Sequence, residues 1–347
     1  MIRLIGRGAL VLSLTLLLAG PGTAWAEDFY KGKTIRFIVG QAAGGGYDTY
    51  VRTIARHISK HIPGNPDTNV ENMEGAGSLI SANYVYRQAS RDGLTLVNFN
   101  NSLVVQNALG DPRIKIDFRK LGWVGAPSVG VPVCMVMGFT GLKTLDDVLK
   151  SKTPLKAGAT RAGSAGYDMP LILNKTLGTN FEVVSGFTGT ATTRIALQKR
   201  EINAFCSQWE SMRVTARAML DAPGDDKLIP FIISERWEDP EVKSLPLFKD
   251  AIKDPEKYAI FRAWASQMDF QRPLTVAPGT PKERLAILRQ GLAQTLKDPE
   301  LLAEAKKSKL VITAVSGEKT EKLVDEILSM PAEAKKSLAF LVRKKGG

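Results

Sequence analysis

Residues 35–48, Ile-Arg-Phe-Ile-Val-Gly-Gln-Ala-Ala-Gly-Gly-Gly-Tyr-Asp, join an apolar run to a helical pattern through a glycine-rich loop. Residues 155–168, Leu-Lys-Ala-Gly-Ala-Thr-Arg-Ala-Gly-Ser-Ala-Gly-Tyr-Asp, repeat this order 120 positions later. A strand that enters a helix through glycines directs unpaired backbone N–H groups and the positive end of the helix dipole at one place, which favours an anion. We therefore expect two loops that together hold one anionic ligand.

Strand-like and helix-like segments alternate around both loops. This alternation predicts an α/β protein with mostly parallel sheets covered by helices. The segment 264–276 is predicted to return the chain to the first unit. We therefore predict a discontinuous domain 1, from 27–130 plus 262–347, and an inserted domain 2, from 131–261. A cleft between two such domains opens and closes by hinge motion.

The first 26 residues are predicted to be a secretory signal peptide. Arg3 and Arg7 precede the apolar run 9–19, and residues 24–26, Ala-Trp-Ala, supply a small-residue cleavage pattern. The run is shorter than the roughly 20 apolar residues of a membrane helix. We expect a mature, soluble chain that starts near Glu27 in the periplasm, the alternative being an uncleaved anchor.

The charge of the chain is basic but is not concentrated in one region. Its 347 residues carry a formal net charge of +12, spread along the sequence. No stripe of interleaved basic and aromatic residues provides a platform for single-stranded nucleic acid. We therefore expect no nucleic-acid partner, although anionic solutes or an anionic membrane surface would be mildly attracted.

The two cysteines, Cys134 and Cys206, both lie in apolar, strand-like runs. An oxidising compartment permits a disulfide between them. Sequence does not show whether the two strands are neighbours, so a disulfide and two buried free thiols both remain open.

Four short motifs occur in order along the chain. The first is the loop that ends at 44–48, and the second is Glu71-Asn72 together with the glycine turn 75–77. The third is 92–96 (Asp-Gly-Leu-Thr-Leu), and the fourth is 278–281 (Pro-Gly-Thr-Pro). In this order, and with a signal peptide, they resemble the extracytoplasmic solute receptors of tripartite tricarboxylate transporters, the Bug or TctC family. The resemblance covers nearly the whole mature chain.

This resemblance implies a fold, a ligand and a partner. The fold is the two-domain periplasmic-binding-protein fold, type II-like and of the Venus-flytrap kind, with a ligand cleft between the domains. The ligand is a small organic carboxylate, a di- or tricarboxylate, which is delivered to the membrane permease subunits of a tripartite tricarboxylate transporter. We expect a monomeric receptor that is not an enzyme and needs no cofactor or metal.

The resemblance also implies that loops from both domains hold the carboxylate through backbone amides, hydroxyls and water. Together with nearby aromatic residues, the predicted ligand-binding set is Gln41, Ala43, Gly44, Gly45, Gly46, Tyr47, Asn100, Asn101, Ser102, Arg161, Gly163, Ser164, Ala165, Phe187 and Trp209. The chain departs from the family at Ala43, where proline is frequent, and at 185–189, which replaces a Pro-Tyr-x-Gly turn. These departures bear on the identity of the ligand.

Arg161 is the candidate cation of this set. A guanidinium in a cleft loop can bind a carboxylate in a bidentate way and contribute roughly 1.5–3 kcal/mol. The alternative role for Arg161 is that of a solvated loop arginine. Arg194 is a second candidate for the cation. We interpret Asp48 and Asp168 as helix N-caps, because a carboxylate facing a carboxylate ligand would repel it. The alternative role of the aromatic residues Tyr47, Phe187 and Trp209 is packing in the core.

Catalytic and metal-binding patterns are incomplete. Ser164 lies in a degenerate nucleophile elbow, but the two histidines precede it, whereas the hydrolase order places histidine after serine. His57 and His61 have the i, i+4 spacing of a metal pair, yet Ile58 stands where a metalloprotease has glutamate. The loop 40–46 lacks the Lys-Ser/Thr of a phosphate loop. The remaining alternatives are a periplasmic serine hydrolase that uses Ser164 and a sensory receptor with a signalling partner.

Overall fold

The computed structural model describes residues 29–341, so the predicted signal peptide lies outside the described residues. The strands are β1 (Thr34–Val39), β2 (Asp67–Asn72), β3 (Thr95–Asn98), β4 (Gly122–Ala126), β5 (Pro132–Met137), β6 (Leu155–Ala159), β7 (Phe181–Ser185), β8 (Ala204–Gln208), β9 (Leu228–Ile233), β10 (Leu274–Val276) and β11 (Val315–Ser316). None of the helices found between residues 29 and 341 is both long and apolar enough to cross a membrane.

The helices cover both faces of two sheets. They are α1 (Gly46–Ile58), α2 (Leu79–Arg87), α3 (Ser102–Ala108), α4 (Leu145–Lys150), α5 (Ala165–Leu177), α6 (Thr190–Gln198), α7 (Trp209–Thr215), α8 (Arg217–Asp221), α9 (Phe248–Ala251), α10 (Pro255–Ala265), α11 (Lys282–Thr295), α12 (Pro299–Lys307), α13 (Gly317–Leu328) and α14 (Ala332–Leu338). The two predicted units of strand, glycine loop and helix are β1–α1 and β6–α5.

The first sheet has six strands in the order β11-β4-β10-β3-β1-β2. Strand β1 runs parallel to β2 and β3, whereas β10 lies antiparallel between β3 and β4. The segment 264–276 thus returns the chain to the first sheet, as the sequence predicts. We call this sheet and its covering helices the first lobe.

The second sheet has five strands in the order β7-β6-β8-β5-β9 and forms the second lobe with its helices. Strand β6 is parallel to β7 and β8, but β5 is antiparallel to β8 and β9. Both sheets are mixed, but four of the six strands in the first and four of the five in the second run in one direction, so the prediction of mostly parallel sheets is confirmed, and β5, β10 and β11 are the exceptions. For two of these exceptions the physical reason is the chain path, because β5 and β10 each enter their sheet directly after a crossing between the lobes and so run against its parallel strands.

Each lobe has aromatic residues at the centre of its core. In the first lobe the ring of Trp123 packs edge-on against Phe99 and Phe270, at centroid distances of 5.8 and 5.9 Å. In the second lobe Phe248 and Phe261 stack with centroids 4.5 Å apart. Edge-to-face and offset pairs stabilise a core beyond the area they bury. The two lobes are therefore separately packed bodies, which is a condition for hinge motion.

Two elements do not follow the predicted domain boundaries. Helix α10 spans the predicted boundary between residues 261 and 262, and it packs against the core of the second lobe. Leu338 of α14 lies in the same core cluster as Phe261 and Trp264, although the prediction assigns it to domain 1. The C-terminal helix thus covers the second lobe after the chain has completed the first sheet.

The cysteine alternatives are decided by strand pairing. Cys134 on β5 and Cys206 on β8 are direct partners in the antiparallel ladder, with their Cα atoms 4.1 Å apart, and the structure joins them as a disulfide. Close pairs of this kind occur at the non-hydrogen-bonded positions of antiparallel strands.

Candidate functional site

The loops that follow β1, β3 and β6 face one another across the gap between the lobes. A cavity of about 130 Å³ lies in this gap, lined from both sides. Of the predicted ligand-binding residues, the structure places Gln41, Ala43, Gly45, Gly46, Tyr47, Asn100, Asn101, Ser102, Gly163, Ser164 and Ala165 on the cavity wall. The two glycine-rich loops, which are far apart in the sequence, therefore meet at one cavity.

Two long helices begin at this cavity. Helix α1 starts at Gly46 and α5 at Ala165, and each has 13 residues. Their N-cap residues, Gly45 and Ser164, have extended backbones, and neither side chain caps the helix. The N–H groups of a first helical turn have no partner within the helix. Both helices thus present free donors and the positive ends of their dipoles to the same space.

The two aspartates of the loops do not act as N-caps, which corrects the sequence interpretation. Each lies in the first turn of its helix and accepts a hydrogen bond from a glycine amide of the preceding loop. The distances are 2.9 Å from Gly44 N to Asp48 Oδ2 and 2.9 Å from Gly163 N to Asp168 Oδ1. Each carboxyl therefore fixes the shape of a glycine loop and does not line the cavity.

The two carboxyls differ in their electrostatics. Burial raises the pKa of Asp48, but hydrogen bonds from Arg52, Gly44 and Asn72 outweigh burial and hold that pKa below its ordinary value. Asp168 is fully buried, and burial raises its pKa to about 7 despite hydrogen bonds from Gly163 and from Trp264 Nε1. Asp168 is therefore the carboxyl that titrates near neutral pH.

This difference predicts a pH-dependent stability. A carboxyl whose folded-state pKa is raised keeps its proton in the folded state at pH values where the unfolded chain has lost it, so stability falls as pH rises from about 4 to about 7. We expect Asp168 to lower the free energy of unfolding by about 2–3 kcal/mol between pH 5 and pH 8. Urea unfolding at both pH values measures the fall in stability, and Asp168→Asn should make that fall smaller by this amount.

The matched control for this experiment is Asp48→Asn, which changes the equivalent carboxyl of the first lobe. Because the pKa of Asp48 is lowered, its removal should leave the fall in stability between pH 5 and pH 8 in place. An equal fall in wild type and Asp168→Asn would contradict the assignment.

Arg161 does not line the cavity, which corrects its predicted role as a carboxylate ligand. Its Nη2 donates to the carbonyl of Gly77 at 2.7 Å, and its Nη1 donates to Gln106 Oε1 at 3.0 Å and to the carbonyl of Ala162 at 3.1 Å. Burial lowers its pKa to about 10. Gly77 and Gln106 belong to the first lobe, so this guanidinium joins the two lobes beside the cavity.

Three other predicted residues lie away from the cavity wall. Trp209 is buried in the core of the second lobe, and its Nε1 donates to Asp239 Oδ2 at 2.8 Å. Phe187 packs against the same core. Gly44 directs its N–H to Asp48. For Phe187 and Trp209 the packing role is therefore the one that the structure shows. Arg194, the second candidate cation, is also absent from the wall.

The sequence interpretation missed Arg272, a charged residue of the cavity wall. Its side chain is 2% exposed, and its Nη1 donates to Ser128 Oγ at 2.8 Å and to Glu210 Oε1 at 3.3 Å. Its Cζ lies 4.4 Å from the ring centroid of Tyr50 and 5.5 Å from that of Tyr47. An arginine inside the apolar stretch 270–276 is the sequence signal that could have revealed it.

Arg272 and Glu210 form a buried ion pair between the lobes. Burial opposes the charge on Arg272, but Glu210 and the two tyrosines outweigh burial and raise the pKa of Arg272 above its ordinary value. Burial also raises the pKa of Glu210, which Arg272 partly offsets. The arginine therefore remains a cation at the wall of the cavity.

The residues of the hydrolase and metal hypotheses are engaged in other hydrogen bonds. The hydroxyl of Ser164 donates to the carbonyl of Arg161 at 2.8 Å. His57 Nε2 lies 2.7 Å from Glu304 and His61 Nε2 lies 2.7 Å from Asp298, beside α12. Between residues 29 and 341, no group of three or more His, Cys, Asp or Glu side chains is placed to hold a metal ion.

Comparison with known proteins identifies relatives of this chain. No family model matches it. One curated protein, a UPF0065 protein from the TAR-I ttuE-ttuC' intergenic region of Agrobacterium vitis, is 25% identical over 300 residues, which are 83% of this chain and 77% of that protein.

Solved structures share the fold over most of the chain. A TctC solute-binding protein from Polaromonas is 19% identical with a TM-score of 0.60, covering 89% of this chain and 98% of its own. MatC from Rhodopseudomonas palustris with bound malate is 22% identical with a TM-score of 0.66, covering 88% and 99%. A second R. palustris protein, with adipate, is 16% identical with a TM-score of 0.70, covering 88% and 97%. The chain thus has the two-domain α/β fold of periplasmic binding proteins, and its resemblance to the TctC and Bug solute-binding proteins is confirmed.

Proposed function

We propose that this protein is a periplasmic receptor of the Bug/TctC family that captures a small organic carboxylate between its lobes and delivers it to a tripartite tricarboxylate-type membrane transporter. The observation that carries the proposal is the meeting of two helix N-termini, α1 from the first lobe and α5 from the second, at one cavity. Backbone amides at helix N-termini are suited to a carboxylate.

The mechanism is closure around the ligand. The first lobe supplies Gly46 and Tyr47, and the second lobe supplies Ser164 and Ala165. A carboxylate that contacts both sides gains these bonds together only when the lobes are closed. The ligand therefore shifts the population towards the closed form by its differential affinity for that form.

The size of the cavity limits the ligand. A protein cavity of about 150 Å³ holds one benzene molecule, and the cavity here measures about 130 Å³. Benzene has about six non-hydrogen atoms, so this volume favours a small ligand. Malate, found in MatC, and adipate, found in the second R. palustris protein, are dicarboxylates with fewer atoms than a tricarboxylate such as citrate. We therefore favour a dicarboxylate over a tricarboxylate.

The sequence and the relatives support the proposed compartment and partner. The signal peptide predicted at residues 1–26 supports export. Permease subunits of a tripartite transporter are the partners that the resemblance to TctC implies. No reaction is part of this proposal, because a receptor releases its ligand unchanged.

A carboxylate screen tests the proposed function. We expect thermal unfolding to shift upwards with one or more members of a panel of succinate, malate, adipate and citrate. A ligand at 100 times its dissociation constant stabilises the folded state by about 2.7 kcal/mol. Ligand recovered unchanged after binding supports a receptor. An absence of stabilisation by the whole panel, or ester hydrolysis that Ser164→Ala abolishes, would contradict the proposal.

A further inference from the structure

The cavity wall is neutral except at one position. Within the described part of the chain, the residues that line it include many hydroxyl and amide side chains but a single charged one, Arg272. Carboxylate side chains are absent from this wall, and the nearby acids are already engaged. Both oxygens of Glu210 have partners, Arg272 for Oε1 and the amide of Val131 for Oε2, and Asp48 and Asp168 hold their loops.

One edge of the Arg272 guanidinium is open towards the start of α1. Its Nη1 is used by Ser128 and Glu210, whereas its Nε is buried without a hydrogen-bond partner. A Cβ added at Gly46 would lie 3.1 Å from Ser211 Oγ, 3.6 Å from Nη2 and 4.0 Å from Nε. The edge formed by Nε and Nη2 therefore faces the first residue of the helix, and a side chain at Gly46 would narrow the space between this edge and Ser211.

This geometry suits a carboxylate. The Nε–Nη2 edge offers two parallel N–H donors, which is the arrangement that binds a carboxylate in a bidentate way. The amides at the start of α1 add donors on the same side. The ion pair with Glu210 and the rings of Tyr47 and Tyr50 fix the guanidinium, so little ordering remains to be done when the ligand binds.

We propose that one carboxylate of the ligand binds the Nε–Nη2 edge of Arg272 beside the start of α1, and that the site selects carboxylates with hydroxyl or oxo groups against amino acids of the same size. The inference rests on the proposed function and defines its substrate class. An ammonium group on the ligand would lie near the positive ends of α1 and α5 and near the guanidinium of Arg272. The cavity wall has no carboxylate side chain to balance the charge of that ammonium group.

The selectivity is tested with a matched pair of ligands. L-malate and L-aspartate have the same carbon skeleton and differ in one hydroxyl or ammonium group. Isothermal titration calorimetry of the full mature chain is expected to show malate binding at least tenfold more tightly than aspartate. Aspartate affinity equal to or above that of malate would overturn the selectivity.

The arginine contact is tested with two variants. Arg272→Lys keeps a cation beside Glu210 but loses the two parallel donors, and we expect malate to bind at least tenfold more weakly. Gly46→Ala keeps Arg272 and puts a methyl group beside its Nε–Nη2 edge and 3.1 Å from Ser211 Oγ, so it should weaken malate binding without removing charge. The control, Arg119→Lys, changes an exposed arginine paired with Asp325, and it should leave the affinity unchanged.

The outcomes separate this inference from the proposed function. Wild-type affinity for malate in both Arg272→Lys and Gly46→Ala would overturn the Arg272 contact while the receptor function stands. Wild-type protein that binds no carboxylate would overturn the receptor function and this inference together. If Arg272→Lys does not fold, Gly46→Ala alone decides.

Discussion

Replacing Gly77 by alanine is expected to weaken carboxylate binding at least a hundredfold, because the alanine side chain occupies the place of Arg161. A Cβ at Gly77 would lie 1.3 Å from Arg161 Nε and 2.1 Å from its Cδ. The clash is with the middle of the side chain, so Arg161 has to leave its position. The carbonyl of Gly77 and the amide of Gln106 then lose the guanidinium that joins the lobes.

The size of this effect follows from the bonds that are lost. Hydrogen bonds from a charged group contribute about 1.5–3 kcal/mol each, and a hundredfold change in affinity corresponds to about 2.7 kcal/mol. Arg161 makes two such bonds across the lobes, and both depend on closure. Calorimetric titration with malate or the best ligand of the screen measures the loss.

The backbone strain of the substitution needs a matched control. Gly77 has a φ of +59°, and Gly32, in the same lobe, has a φ of +66° with nothing within 4 Å of an added Cβ. Gly32→Ala therefore carries a similar left-handed strain, about 1–2 kcal/mol, without the clash. Its ligand affinity should equal that of wild type. A similar loss in both variants, or no loss in Gly77→Ala, would show that Arg161 does not couple closure to binding.

The parts of the site that sequence could predict are local ones. Strand, glycine loop and helix are encoded within 14 residues in both copies, but the N-caps are Gly45 and Ser164, three and four residues before the aspartates that the side-chain pattern predicts. Parallel strands end at the same edge of a sheet, so loops such as 40–46 and 160–164 could be expected at the cleft. The convergence of Gly45 and Gly163 on one cavity agrees with this expectation.

The parts that sequence could not predict depend on distant contacts. The loop position of Arg161 is local, but the direction of its guanidinium is set by Gly77 and Gln106, which are 84 and 55 residues away. Arg272 reaches the cavity because β10 lies between β3 and β4. The sequence of residues 264–276 contains no pattern that predicts the position of β10 between β3 and β4. The direction of β5 is likewise set by a distant feature, because the chain crosses between the lobes directly before this strand.

Removal of the Glu210 side chain is the substitution from which we expect the largest loss of stability. Glu210 and Arg272 are 1% and 2% exposed, so Glu210→Ala leaves a cation buried without its counter-charge. Breaking a buried pair in this way costs about 3–5 kcal/mol. The amide of Val131 also loses its acceptor. Urea unfolding at pH 7 should show this difference between Glu210→Ala and wild type.

The comparison that identifies the cause uses an exposed pair and a double variant. Asp325→Ala breaks the exposed pair with Arg119 and should cost about 1 kcal/mol or less. Replacing both members of the buried pair, with Arg272→Met and Glu210→Gln, removes the uncompensated charge and should recover much of the stability lost in Glu210→Ala. The double variant should nevertheless fail to bind malate, because the donors of Arg272 are gone. Recovered stability with unchanged malate affinity would therefore assign Arg272 to the ion pair between the lobes alone, whereas recovered stability with lost affinity places one residue in both the ion pair and the binding site.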